Sequence, residues 1–245
     1  MELDGELKVK VDNYQPSEQN LDTIRKLPLI FMVGITSAGK NTVLARLLQH
    51  DPDHFEQVIS HTTRAPRMNS GVQEINGREY YFVDCDQMSK MIADNGFVEV
   101  KNIHNIQISG TSFEELRRIS TDGKIGVGDI DVNGIDEYLE LGLNVKPIFI
   151  LPPSYNVWMG RLRLRYGGKV HMHDLYMRMQ SALQEIEHAM LSSDYYIVVN
   201  DDLDKTADLV IKIACSETVD PHEHHAVEVA EELMSRIRAE LAKMT

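Results

Sequence analysis

The sequence predicts an α/β fold in which a parallel sheet carries helices on both faces around a phosphate-binding loop. Two observations lead there. Short apolar runs alternate with helical patterns, at residues 29–33, 125–130, 146–151 and 195–199, and strands that alternate with helices pair in parallel. Between the first run and the helix after it lies the glycine-bounded loop Gly34-Ile35-Thr36-Ser37-Ala38-Gly39-Lys40. A chain of 245 residues that is 42% hydrophobic can bury such a core as one large domain or one domain with appendages.

The chemistry of the loop follows from its place in that order. A tight loop ahead of a helix directs several backbone N–H groups and the positive end of the helix dipole at one spot, which binds phosphate. Gly39 lets the main chain approach the anion, and Lys40 supplies a mobile charge for the outer phosphates of a nucleoside triphosphate. A Ser or Thr directly after the lysine would place a hydroxyl on magnesium; here Asn41 takes that position and Thr42 comes next. The helix opening there shows Val43, Leu44, Leu47 and Leu48 on one face. The competing reading is an ordinary strand-to-helix turn with a solvated lysine, and later segments decide between the two.

Residues 1–27 read as an N-terminal appendage. Leu7, Val9 and Val11 alternate as in a short strand, Pro16 interrupts, and Leu21, Ile24 and Leu27 have helical spacing before Pro28. After the first core helix, residues 57–63 (QVISHTT) are β-prone and run into Arg64-Ala65-Pro66-Arg67. Asn69-Ser70-Gly71 and Asn76-Gly77 signal turns, 80–83 and 97–100 read as strands, and 86–94 as a helix with Met88, Met91 and Ile92 inward. The stretch 57–112, rich in short strands and turns, has the pattern of a small subdomain inserted in an α/β core.

The core pattern then resumes, with a helix at 113–120, a strand at 125–130 ending in Asp129-Ile130-Asp131, and a helix at 133–141. A buried-type strand at 146–151 is closed by Pro152-Pro153, and the next helix carries Arg161, Arg163 and Arg165. Asp174 is placed to N-cap the helix after that, whose stripe is Leu175, Met179, Ala182, Leu183, Ile186 and Met190, with Arg178 and Glu185 off it. The strand at 195–199 leads to Asn200, and a helix at 203–214 closes the core. In such sheets ligands bind at the carboxyl ends of the strands, where Gly34, Asp129 and Asn200 lie. Beyond a linker at 216–221, Ala226, Ala230, Leu233, Ile237 and Leu241 form the stripe of a C-terminal helix that can pack on the core or on a second copy. His222-Glu223-His224-His225 reads as a solvated helix start, because a metal site would need a third ligand that the sequence does not identify.

Composition excludes several classes. A formal charge of −13 argues against a general nucleic-acid or anionic-membrane binder, since both need a surplus of Lys and Arg. The longest apolar runs are far too short to span a bilayer. The first twenty residues lack a basic-then-apolar signal pattern, and Cys85 and Cys215 stand far apart without metal-ligand spacing, so the expectation is a cytoplasmic protein with reduced thiols.

Three constellations carry chemistry. Within residues 60–67, hydroxyls accompany Arg64 and Arg67, a fork-type clamp for the phosphate of a nucleoside monophosphate; a solvated basic loop is the alternative. Arg161, Arg165 and Arg178 can stabilise the charge of a phosphoryl group in transfer, with Gly167-Gly168 as a hinge and Arg163 as a surface charge. Asp129 and Asp131, two apart on a strand, point the same way; one can hold a magnesium shell or accept N–H groups from a base, while Asp131 also suits a helix N-cap.

From about residue 29 to residue 214 the chain resembles guanylate kinases. The resemblance rests on the phosphate loop, SHTTRAPR at 60–67, NGREYYFV at 76–83, DIDVNG at 129–134, FILPPS at 149–154, the R-x-x-x-R segment at 161–165 and VVNDDL at 198–203. It implies a P-loop NTPase core with a parallel sheet and helices on both faces, plus a strand-rich GMP-binding insert and a helical lid. The implied activity is transfer of the γ-phosphoryl of MgATP to GMP or dGMP. The domains become an N-terminal appendage at 1–27, a guanylate kinase-like domain at 28–215 with its GMP-binding subdomain at 57–112 and lid region at 155–178, and a helical extension at 216–245.

By this resemblance Gly34, Ser37, Ala38, Gly39, Lys40, Asn41 and Thr42 hold ATP, with Asn200 by the adenine and Thr42 and Asp129 toward Mg2+. Ser60, Arg64, Arg67 and Tyr80 hold the GMP phosphate, and Glu74, Glu99, Thr111 and Asp129 line the guanine pocket. Lys40, Arg64, Arg161, Arg165 and Arg178 act on the transferring group. The chain departs from the family in about four extra residues between Arg67 and Glu74, in GGKVHMHD where the lid is usually acidic, and at Ile106-Gln107-Ile108-Ser109, which replaces an aromatic pair. Losing one neutral phosphate contact there costs about 1 kcal/mol. Two further readings remain: a non-catalytic module binding a protein ligand, which the retained Lys40 and arginines disfavour, and a same-fold kinase for another phosphorylated acceptor.

Overall fold

The computed structural model describes residues 5–69, 71–103, 105–168, 171–215 and 218–244. Helices α1 (Gly5–Asp12) and α2 (Glu18–Asp22) precede strand β1 (Leu29–Val33) and helix α3 (Lys40–His50). Short strands follow, β2 (Phe55–Gln57), β3 (His61–Thr62), β4 (Met68–Asn69), β5 (Val72–Gln73) and β6 (Tyr81–Phe82). Next come α4 (Cys85–Ala93), β7 (Phe97–Ile103), β8 (Gln107–Ser112), α5 (Phe113–Thr121), β9 (Ile125–Asp129), α6 (Val132–Glu140) and β10 (Val145–Leu151). The chain ends with α7 (Tyr155–Arg165), α8 (Met172–Leu191), β11 (Tyr196–Val199), α9 (Leu203–Ala214) and α10 (His224–Met244). Two compact units divide it: one formed by residues 5–27, 56–126 and 141–144, the other by Pro28–Phe55, Val127–Glu140 and residues 145–244.

A five-stranded sheet is ordered β11-β10-β1-β9-β2, and β1, β10 and β11 lie in the second unit. β1 pairs in parallel with β10, Leu29 opposite Val145 through Val33 opposite Phe149, and β10 pairs in parallel with β11. All five residues of β1 are buried, as expected of a strand covered on both faces, and this is why LIFMV reads as a continuous apolar run. The loop at 34–39 leaves the carboxyl end of β1 and opens into α3, whose Val43, Leu44 and Leu47 are buried. α10 packs against α8, α7 and β11 and buries Ala226, Val229, Ala230, Leu233 and Ile237, so its stripe is covered within its own unit. His224 starts that helix and is exposed, and among the described residues no group of three or more His, Cys, Asp or Glu is placed to hold a metal. No described helix is long and apolar enough to cross a membrane.

In the first unit a four-stranded sheet runs β6-β3-β8-β7, with β3 parallel to β6 and antiparallel to β8, and β7 antiparallel to β8. β4 and β5 pair as an antiparallel ribbon around the extra residues after Arg67. The turn expected at Asn69-Ser70-Gly71 contains Ser70, which lies outside the described residues, as do Lys169 and Val170 of the expected lid segment and Ser216 of the linker.

Several local expectations are corrected. Residues 7–11 form a helix and not a strand: Leu7 and Val11, four apart, are buried against Met88, Ile92 and Phe97, while Val9 is exposed. Residues 5–27 are accordingly part of the first unit, with Tyr14 Oη accepting from Phe97 N–H at 3.0 Å and Asn95 Oδ1 accepting from Ser17 N–H at 2.8 Å. The β-prone run 57–63 is split, because the Ile59 N–H donates to Glu115 Oε1 at 3.0 Å instead of a neighbouring strand. Asp174 does not cap α8; the cap position is His171, and Asp174 sits in the first turn, where its charge suits the helix dipole. β9 ends at Asp129, so Asp131 does not share its face; Asp131 Oδ1 accepts from Gly134 N–H at 2.8 Å and starts α6.

Candidate active site

The loop between β1 and α3 is shaped by close backbone approach. Gly34 has φ +129°, and a Cβ there would lie 2.4 Å from the Ile150 carbonyl oxygen of β10, so only glycine fits. Gly39, the cap residue of α3, has φ +106°, and a Cβ there would lie 2.3 Å from Asn200 Nδ2. Ser37 takes φ +68° without being glycine, and its buried Oγ has no hydrogen-bond partner among the described residues. A strained residue with an orphaned hydroxyl, at the N-terminus of a helix whose cap makes no side-chain bond, suits an acceptor-rich anion such as phosphate.

Around this loop is a cleft of about 660 Å³ lined by Ser37, Gly39, Lys40, Asn41, Thr42, Arg161, Arg165 and Asn200, together with Asp201 and Leu203. Gly34 and Ala38 are buried and do not line it. Lys40 Nζ folds back to donate to the carbonyls of Gly34 and Ile35. Burial pushes its pKa below the ordinary lysine value, and Glu185 and Asp129 act against that shift. Arg161 donates to Ala38 O at 2.8 Å and to Asn200 O at 3.2 Å, and Asn200 Nδ2 donates to Ala38 O at 3.0 Å. Arg165 is exposed on the cleft; Arg178 reaches only the limit of a hydrogen bond, 3.5 Å from Thr36 Oγ1.

Thr42 in the first turn of α3 and Asp129 at the end of β9 are both exposed. They offer one hydroxyl and one carboxylate, which fits a magnesium ion carried mainly by phosphate oxygens and water.

In the first unit, Arg64 and Glu74 form a bidentate pair, Nη2 to Oε1 at 2.9 Å, with side chains only 10% and 7% exposed. The Arg64 guanidinium lies 4.7 Å from the ring centre of Tyr80 and 5.6 Å from that of Phe82. Glu74 also accepts the Arg67 N–H at 2.8 Å, while Arg67 itself is exposed. The expected two-arginine clamp is therefore drawn as Arg64, Glu74 and Tyr80, with Arg67 joined through its backbone. Ser60 Oγ lies 3.3 Å from Thr111 Oγ1, and Glu99 Oε1 accepts the Thr111 N–H at 2.9 Å from the paired strand. In the 106–109 segment Ile106 is exposed, Ile108 buried, and Ser109 Oγ donates to Thr62 Oγ1 at 2.9 Å.

Two groups were missed by sequence reasoning. Glu115, 2% exposed at its side chain, receives Ile59 N–H at 3.0 Å, Tyr81 Oη at 3.1 Å, and Arg118 Nη2 and Nε at 3.0 and 3.1 Å. A glutamate in the first turn of a helix carries no sequence signal of burial. Trp158 donates Nε1–H to Thr36 O at 2.8 Å; its being the sole tryptophan was the only hint.

The family model for guanylate kinase matches residues 26–216. The chain is 37% identical over 188 residues to a guanylate kinase of Francisella tularensis, covering 75% of this chain and 94% of that protein. It is 34% identical over 191 residues to the guanylate kinase of Sus scrofa, covering 78% and 92%. Against guanylate kinase 1 of Oryza sativa it is 32% identical over 176 residues, 71% of this chain, and spans less than half, 44%, of that longer relative. The crystal structure of guanylate kinase from Anaplasma phagocytophilum aligns with a TM-score of 0.55 and 26% identity, over 87% of this chain and 96% of that one.

Proposed function

Because the chain belongs to the guanylate kinase family, we propose that it transfers the γ-phosphoryl group of MgATP to GMP or dGMP, giving ADP and the nucleoside diphosphate. The observation that carries this reading is the cleft of about 660 Å³ at the start of α3, where Lys40, Arg161 and Arg165 line one space with Gly39. A phosphoryl group in transfer demands little covalent chemistry and much positive charge in fixed positions. Residues 34–42 bind the ATP phosphates, Lys40 leaves the Gly34 carbonyl to follow the γ-phosphoryl, and Arg161, Arg165 and Arg178 neutralise the charge that spreads over its oxygens. Asn200 borders the adenine. Magnesium, held by the phosphates with Thr42 and Asp129, supplies further charge neutralisation when bound.

GMP is taken by Ser60, Arg64, Arg67 and Tyr80 through its phosphate and by Glu74, Glu99, Thr111 and Asp129 around the base. On this reading the Arg64–Glu74 pair is the resting partnership of two groups that exchange each other for ligand, the guanidinium for phosphate and the carboxylate for guanine N–H groups. The enzyme works in the cytoplasm as part of purine nucleotide metabolism.

A second acceptor remains in play because of one feature, the 106–109 segment that lacks the family's aromatic pair. A coupled assay with ATP and each of GMP, dGMP, AMP, CMP and UMP tests both. GMP and dGMP are expected to be the acceptors; turnover with AMP but not GMP would overturn the guanine assignment, and no turnover with any acceptor at millimolar concentration would overturn the kinase reading.

A further inference from the structure

The carbonyls of the phosphate loop are tied by side chains, and one tie comes from a residue that neither lines the cleft nor is used by the proposed reaction. Lys40 holds the carbonyls of Gly34 and Ile35, and Arg161 and Asn200 hold that of Ala38. The Thr36 carbonyl accepts from Trp158 Nε1–H at 2.8 Å. In a planar trans peptide the carbonyl and the N–H that follows point in opposite directions. Holding Thr36 O toward Trp158 therefore turns the Ser37 N–H away from it, and Ser37 lines the cleft. Ser37 is also the strained residue of the loop, at φ +68°, a conformation that persists only where its surroundings fix it.

Trp158 is fully buried in α7 and is itself braced. Tyr155 meets it edge-on, ring centres 6.0 Å apart, and the Arg236 guanidinium of α10 lies 5.5 Å from the centre of the Tyr155 ring. Arg238 Nη2 donates to Glu187 Oε1 at 2.6 Å and ties the same helix to α8. α10 lies beyond residue 216, where the family match ends.

We propose that Trp158 is a positioning residue for the phosphates of the donor nucleotide, and that α10 braces it through Arg236 and Tyr155, so that the C-terminal extension sets donor affinity. The inference rests on reading the loop as the triphosphate site. Trp158→Phe keeps a buried aromatic ring and removes the N–H. Titration calorimetry with magnesium AMP-PNP is expected to show about fivefold weaker binding for this variant, the loss of one hydrogen bond, with GMP affinity unchanged. Arg236→Ala, an exposed change remote from the loop, is expected to weaken AMP-PNP binding by about twofold.

Equal AMP-PNP affinity in wild type and Trp158→Phe overturns the inference, and so does a parallel loss of GMP affinity, which would mark the tryptophan as support for the fold alone. Should Trp158→Phe fail to fold, Arg236→Ala decides by itself, and an unchanged affinity overturns the brace. A wild-type protein that binds GMP but no AMP-PNP overturns the donor-site reading itself, and the inference with it.

Discussion

Replacing Glu115 by glutamine changes one atom in a carboxylate of the first unit that accepts four hydrogen bonds. Its Oε1 accepts Ile59 N–H and Arg118 Nη2, and its Oε2 accepts Tyr81 Oη and Arg118 Nε, all within 3.0 to 3.1 Å. A glutamine amide turned so that its NH2 replaces Oε2 keeps the first two bonds and lets the Tyr81 hydroxyl reverse and accept. The Arg118 Nε–H then faces another donor, and the charge opposite the guanidinium is gone. One lost hydrogen bond to a charged group is worth about 1.5–3 kcal/mol, and the upper half of that range is discounted because Arg118 is 37% exposed and keeps Glu56.

The expected destabilisation of Glu115→Gln is therefore about 2 kcal/mol, read as a lower urea midpoint with unchanged slope. Ile59 precedes Ser60 and Tyr81 follows Tyr80, so KM for GMP rises while KM for ATP stays constant. Glu115→Ala, which also leaves the Ile59 N–H without this acceptor, costs more, about 3 kcal/mol, because Arg118 is part-exposed and keeps Glu56. A glutamine variant with a wild-type midpoint and wild-type KM for GMP would refute the reasoning.

Arg64→Ala is expected to raise KM for GMP and lower kcat together, since the same fork anchors and positions the phosphate; an unchanged KM would contradict that role. His61 gives a pH signature: burial holds its pKa below the ordinary 6.5, while Glu115 and Glu114 oppose the shift. A group with a depressed folded pKa is protonated more readily when unfolded, so it contributes stability above about pH 6.5 that is lost as pH falls toward and through its folded value. His61 packs against Tyr81 and Phe97, ring centres 4.8 and 5.7 Å away, so His61→Phe should keep the packing and flatten the fall in urea midpoint between pH 7 and pH 5; identical pH profiles would remove His61 from the account.

The parts that were legible in the sequence are those with a local rule behind them. LIFMV followed by a glycine-bounded loop and Lys40 specifies strand, anion loop and helix, because burial on both faces, a left-handed turn and a helix N-terminus each demand particular residues. The helix expected at 203–214 is found as Leu203–Ala214, and the structure shows why it starts there: Asp202 accepts from Lys205 N–H. What failed depended on distant partners. Leu7, Val9 and Val11 satisfy a strand pattern as well as a helical one, and only the packing of Leu7 and Val11 against Phe97 and Met88 decides. That Arg64 pairs with Glu74, ten residues on, also could not be read from the 60–67 segment, because the partner lies beyond the extra residues after Arg67. Neither Glu115 nor Trp158 has a neighbour in sequence that announces its role.

The central claim, phosphoryl transfer from ATP to GMP at the Lys40 loop, is tested most directly by following the label. Wild-type protein given ATP labelled in its γ-phosphate, together with GMP and magnesium, is expected to place the label in GDP in equal amount to the ADP formed, and Lys40→Ala is expected to do so at least about a thousandfold more slowly while still binding GMP. Label recovered only as inorganic phosphate, or an equal yield of labelled GDP from both proteins, would contradict the account.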